Sequence, residues 1–202
     1  IDSEAKLNSM ASVIALKNGE GRYILTKDIT CQGTYDANLN TTFNGTFDGR
    51  GYAIHNMATT TDRDGDNRGL LGLYLGPNGV LENVSFVNAK HSGQGGFIAS
   101  KAQGKIRNVY IQIDITGYNA NGYQWATSVL ASETFSEFST EKVFVEYIKP
   151  LPTDATNGYA LWRLYGGYAK HQGLYVVGED QLYNVMEDLG GGQEDIYAAY
   201  RN

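Results

Sequence analysis

The stretch from Gly69 to Thr116 states one pattern twice, and that repetition narrows the folds open to this chain more than any other feature. The first copy is Gly69-Leu70-Leu71-Gly72-Leu73, a turn, then Gly79-Val80-Leu81-Glu82-Asn83-Val84-Ser85-Phe86. The second is Gly95-Gly96-Phe97-Ile98-Ala99, a turn, then Gly104-Lys105-Ile106-Arg107-Asn108-Val109-Tyr110-Ile111. Counted between the asparagines, the period is 25 residues (108 − 83), inside the range of solenoid repeats. A unit of that length cannot bury its own apolar face and must stack on its neighbours.

Further copies extend the pattern in both directions. Ile54-His55-Asn56-Met57 has the same aliphatic, polar, Asn, aliphatic form, and fainter copies put Lys142 before Val143-Phe144-Val145 and Gly173 before Leu174-Tyr175-Val176. Asparagine tolerates the left-handed backbone conformation, and its amide can bond an equivalent amide one coil away. The residues after each such corner alternate, with Val84 and Phe86, then Val109, Ile111, Ile113 and Ile115, then Val143, Val145 and Tyr147 expected inside, and Asn88 a candidate for the same face. A companion strand begins near Leu70-Leu71-Gly72, Phe97-Ile98-Ala99, Val129-Leu130-Ala131 and Leu161-Trp162-Arg163, the small third residue suggesting close packing, with Arg163 breaking the rule.

Both ends read as caps. Leu7, Met10, Ala11 and Ile14 share a helical face within residues 2–18, with Asp2 or Ser3 as N-cap. Leu182, Val185, Met186 and Leu189 do the same over Glu179 to Leu189. The sequence therefore predicts one all-β domain: a right-handed parallel β-helix (solenoid) of about four to five coils. Residues 1–20 form an N-terminal helical cap, 21–178 the coils, and 179–202 a short C-terminal helical cap.

Charge and composition exclude several functions. The net charge is −6 and the pI about 5.0, so there is no basic face to neutralise phosphates and nucleic acid is not an expected partner. No apolar run reaches the length of a membrane span, so no membrane insertion is expected. Cys31 stands alone, which rules out an intrachain disulfide and leaves it as a space-filling thiol rather than a nucleophile. The chain opens at Ile1 without Met or a signal peptide, as expected of a piece of something longer, with neighbouring domains.

Phe47-Asp48-Gly49-Arg50-Gly51-Tyr52, Gly69-Leu70-Leu71-Gly72-Leu73 and the Gly-x-aliphatic-x-Asn-Val corners together resemble the GLUG-motif family of bacterial and phage surface proteins, over roughly residues 1 to 116. The resemblance implies a right-handed parallel β-helix module in a secreted, wall-attached or virion-attached protein. Its motif residues are implied to be structural, and it carries over no catalytic residue.

Function is then sought outside the repeat. Asp62, Asp64 and Asp66, with Asn67, group hard oxygen ligands suited to calcium, but the spacing departs from an EF-hand loop and a solvated acidic turn is the simpler reading. The aromatic run Tyr118, Tyr123, Trp125, Tyr159, Trp162, Tyr165, Tyr168 and Tyr175 lies around two longer excursions, Gly117 to Gln124 and Ile148 to Gly158. Aromatic faces stack on sugar rings and anchor protein interfaces, though alternate members also suit a coil interior. Tyr118, Tyr123, Trp125, Tyr159 and Trp162 are the expected glycan- or protein-binding residues.

A polysaccharide-active enzyme is the alternative, since Glu82 with Arg107, or Glu141 with Glu146, could share a face. The Asn-Thr-Asp, Asp-Asp, Gly-His-Gly and Arg-Ile-Lys elements of polygalacturonase-type sites are absent. His55, His91 and His171 are expected as scattered surface or turn residues. The reading is a non-catalytic adhesion or display module, extracellular or on a cell or virion surface, with a purely structural spacer or virion decoration domain as a third option.

Overall fold

The computed structural model describes residues 1–35, 41–60, 69–93, 95–115, 127–149, 163–167 and 170–185. Within them the chain shuttles between two sheets, an 11-stranded and a 6-stranded one. The long strands of the larger sheet, Val80–Ser92, Lys105–Ile115, Ser139–Tyr147 and Lys170–Val177, stack in parallel in chain order. Before the first of them and between the rest, the chain visits the smaller sheet at Tyr74–Leu75, Ala99–Ala102, Thr127–Thr134 and Arg163–Gly167, again in parallel. Such alternation is the solenoid-like arrangement that the repeat predicts. The first two levels of the larger sheet are broken into short strands. Thr46–Asp48, Ala53–His55 and Ala58–Thr60 all align on the single strand Val80–Ser92.

Inward rows fill the space between the sheets. Leu81, Ile106 and Thr140 are in register, as are Val84, Val109, Val143 and Leu174, and Phe86, Ile111, Val145 and Val176. All of these are buried. Full burial of each such aliphatic side chain contributes about 1.5 to 3 kcal/mol before chain entropy is charged against it. From the smaller sheet side, Leu70, Leu71, Phe97, Ile98, Val129 and Leu130 are fully buried, and Leu70 and Leu71 donate backbone N–H bonds to Phe97 and Ile98 carbonyls.

The third positions behave individually. Ala99 and Ala131 are paired and fully buried as expected, but Gly72 sits at φ 72°, so its reason is conformational rather than close packing. Tyr165, not Arg163, aligns with Ala131; Arg163 aligns with Ser128.

The corner residues carry the register. Asn83, Asn108, Lys142 and Gly173 all lie at positive φ (55°, 51°, 53° and 85°). Asn108 Nδ2 donates to Asn83 Oδ1 at 2.9 Å, and Asn83 Nδ2 donates to Asp48 Oδ1 at 3.1 Å. Asp48 also accepts the Arg50 amide at 3.0 Å and the Arg22 guanidinium at 2.7 Å. Burial alone would push the Asp48 carboxyl up, but the bonds from Asn83, Arg22 and Arg50 outweigh it and hold its pKa below the usual value. Gly49 follows because a Cβ there would stand 2.4 Å from the Asn83 carbonyl oxygen.

Asn56 corrects the sequence alignment. Ile54 pairs with Phe86 rather than Leu81, and Asn56 Oδ1 accepts from Asn88 Nδ2 at 2.7 Å. Asn56 and Asn88 (φ 57° and 54°) therefore form a second corner. Asn88 is exposed, not inward. At the next level that corner vanishes: Val87 and Asn88 oppose Gln112 alone, and Gln112 Oε1 accepts the Asn88 amide at 3.2 Å. Such a bulge resets which residues face the core.

The N-terminal helix spans Glu4–Leu16, is capped by Ser3 and buries Leu7, Met10, Ala11 and Ile14. The predicted C-terminal helix is corrected where it is described. Leu182–Asn184 is a strand, antiparallel to Lys170–Val177. This pairing covers Tyr175, Val176 and Val177 at the end of that strand, an edge that a helix would leave open there. The remainder of that expected helix lies outside the described residues.

The corner network generates a two-sided prediction. Asn83→Ala should lower the unfolding free energy by about 1 to 3 kcal/mol in urea titration, because it removes a donor to buried Asp48 and forces alanine to positive φ. Lys142→Asn should raise it by about 1 kcal/mol, since asparagine holds that conformation more readily.

Candidate functional site

Where the larger sheet hands over to the smaller one, successive levels share a corner. Thr60 aligns with Ser92, and His91 with Ile115. Ile113 aligns with Tyr147. On the receiving side Gly95 aligns with Thr127, and Ser128 with Arg163. One level makes this crossing through Gly93 alone among described residues; the others span 61–68, 116–126 and 150–162. Asp62, Asp64, Asp66, Tyr118, Tyr123, Trp125, Tyr159 and Trp162 fall in these stretches of sequence and lie outside the described residues.

The frame of the corner is polar and packed. His91 is fully buried, correcting the expectation of a surface or turn histidine. Its Nε2 faces the Gly95 carbonyl at 3.2 Å and its Nδ1 the Thr59 hydroxyl at 2.7 Å. A carbonyl only accepts, so Nε2 carries the proton and Nδ1 accepts from Thr59. Burial lowers its pKa to about 4, against a smaller opposing effect of the Gly95 bond. A neutral imidazole is thus locked between two levels, with Phe97 edge-on at 6.4 Å. The missed signal was the parity change after Asn88, which turns Ala89 and His91 inward.

Around it the Thr127 hydroxyl donates to the Gly93 carbonyl, and the Lys149 ammonium pairs with buried Asp114. Tyr35 donates to the Leu70 carbonyl at 3.1 Å. These bonds fix the points at which the longer connections leave and return.

The outer face of the larger sheet holds the residues weighed for catalysis. Glu82 and Arg107 meet in an ion pair at 2.6 Å. Glu141 and Glu146 both lie on Ser139–Tyr147; Glu146 receives the Tyr110 hydroxyl and, at 3.2 Å, the Gln112 amide. Tyr110, Phe144 and Tyr175 form one outward row, and the last two rings stack at 5.1 Å and 14°. Cys31 is buried, with its thiol pushed up to about 11 by burial and then by Glu4, so it is protonated at neutral pH. Among the described residues no group of three or more His, Cys, Asp or Glu side chains is placed to hold a metal, and no helix is long and apolar enough to cross a membrane.

Compared with known proteins, the chain is 32% identical over 153 residues to Halomucin of Haloquadratum walsbyi, a match that covers 65% of this chain and 2% of Halomucin. No family model and no solved structure matches the chain.

His91 makes stability depend on pH. Its folded pKa lies below the unfolded value near 6.5, so the unfolded chain binds more protons between pH 6.5 and 4 and stability falls as pH drops through that window. The loss should reach about 3 kcal/mol. Urea titrations from pH 7.5 to 4 should show the slope in the wild type and a flatter one in His91→Gln.

Proposed function

We propose that this chain is a display and adhesion module within a far longer secreted or surface protein, binding glycan or protein through the connections gathered at one corner of its solenoid. The observation that carries the reading is the register of the anchors. Ile113 beside Tyr147 and Ser128 beside Arg163 bring the ends of both aromatic connections to the same edge on adjacent levels. Tyr118, Tyr123 and Trp125 belong in sequence to the first of these connections, and Tyr159 and Trp162 to the second. Aromatic-rich connections anchored on adjacent levels suit recognition of an extended chain such as a polysaccharide.

The likeness to Halomucin supports the setting. A match spanning 2% of that protein is what a module in a long chain would give, and its name associates it with mucins. The solenoid is proposed to be a right-handed parallel β-helix of about four to five coils, and the chain a GLUG-motif member, with Asn83 and Asn108 acting structurally as that resemblance implies.

The combined variant Tyr118→Ala, Tyr123→Ala, Trp125→Ala should lose at least about tenfold in retention on a glycan or surface-protein array. If these residues act in binding and not in the core, its melting temperature should stay within about 2 °C of wild type. Unchanged retention would overturn the assignment, and release of reducing ends from a polysaccharide would replace it with an enzyme.

A further inference from the structure

The smaller sheet carries a second cluster, at the end of its strands opposite the corner just described. Tyr74 aligns with Lys101, and Lys101 with Glu133. Ala102 aligns with Thr134, so Gln103 and Phe135 follow side by side on neighbouring levels. Tyr74 thus starts one level from Gln103 and two from Phe135. Levels are about 4.8 Å apart. Yet the Tyr74 hydroxyl donates to Gln103 Oε1 at 2.5 Å, and its ring lies 5.7 Å from that of Phe135 at 48°. The ring must therefore run along the stacking direction, across the sheet surface and past the Lys101 level.

Its neighbours are chosen in a particular way. Gln103 spends its carbonyl oxygen on Tyr74, which leaves the amide Nε2 with two donors and no protein partner among the described residues. Lys101 and Glu133 form an ion pair at 2.8 Å, each side chain a little over a third exposed. That pair presents a donor and an acceptor fixed across two levels while cancelling its own charge. Tyr74, Gln103 and Phe135 are half-buried. Burial first, then Glu137 and Glu133, raise the Tyr74 pKa, so the phenol keeps its proton and its bond to Gln103 at neutral pH.

This differs from the aromatic row on the larger sheet. Phe144 and Tyr175 are nearly parallel and stacked, so their facing surfaces are spent on each other. Tyr74 and Phe135 are tilted and leave ring surface to a third body. A half-exposed ring beside a free amide and an internally neutral ion pair matches one ligand chemistry: a pyranose, with its C–H face on the ring and its hydroxyls on the polar groups. The carboxylate of Glu137 near Tyr74, on a chain of net charge −6, disfavours uronates and sulfated sugars.

We infer that Tyr74, Phe135, Gln103, Lys101 and Glu133 form a binding subsite for a neutral hexopyranose chain, separate from the connections at the opposite edge. The inference stands on its own geometry and holds whether or not those connections bind anything.

The test is affinity electrophoresis and titration of the whole chain against neutral probes (glucan, mannan and galactan hexasaccharides), with polygalacturonate as the acidic control. Retention by at least one neutral probe and none by polygalacturonate is expected. Tyr74→Ala and Gln103→Ala should each weaken it at least about fivefold, whereas Tyr74→Phe, which keeps the ring, should stay within about threefold. Circular dichroism melting of the Phe variant separates binding from folding. Equal binding by Tyr74→Ala and wild type, or no neutral probe retained, would overturn the subsite. Loss only in the Tyr118, Tyr123, Trp125 variant would also overturn it while supporting the other corner.

Discussion

The four long strands of the larger sheet each turn through a residue held at positive φ (Asn83, Asn108, Lys142 and Gly173), and the stacking of those corners sets the register on which the rest depends. Asp48, Asn83 and Asn108 form a chain of side-chain bonds from one level to the next. The backbone geometry then persists through Lys142 and Gly173 after the amides are gone. A one-residue slip along a strand would turn its apolar set outward. The corner prevents this by giving one position per level a conformation and a partner that its neighbours cannot supply.

From that register both faces follow. Inward, the rows headed by Val84 and Phe86 bury aliphatic side chains against each other level by level. Outward, the same alignment brings Glu82 to Arg107, Lys101 to Glu133, and Gln112 to Glu146. The exposed Lys101–Glu133 pair adds little stability by itself, whereas Arg107 satisfies a buried Glu82. Their alignment makes the outer surface chemically regular from level to level.

The second corner shows how a repeat is modified without losing its frame. Asn56 and Asn88 are bonded, but the following level replaces the corner with a bulge satisfied by Gln112. The bulge turns Ala89 and His91 inward, and His91 then joins Thr59 to Gly95 across the handover between sheets. A change in one corner thus builds the support under the longer connections.

The sequence by itself determined what depends on local pattern: the buried face of the first helix, the inward alternation of the strands up to the bulge at Asn88, and the positions of the corners at Asn83, Asn108, Lys142 and Gly173. These are legible because periodicity and backbone tolerance are properties of neighbouring residues. It located the aromatic and acidic connections as segments, though not their arrangement. Only the tertiary structure decided which levels align. Asn56 matches Asn88 and not Asn83, Leu182–Asn184 pairs as an edge strand, and Tyr74 reaches across two levels to Phe135. Similar motifs at similar spacing fit several registers equally well. Choosing among them takes the hydrogen bonds and side-chain volumes of residues distant in the chain, which no local pattern contains.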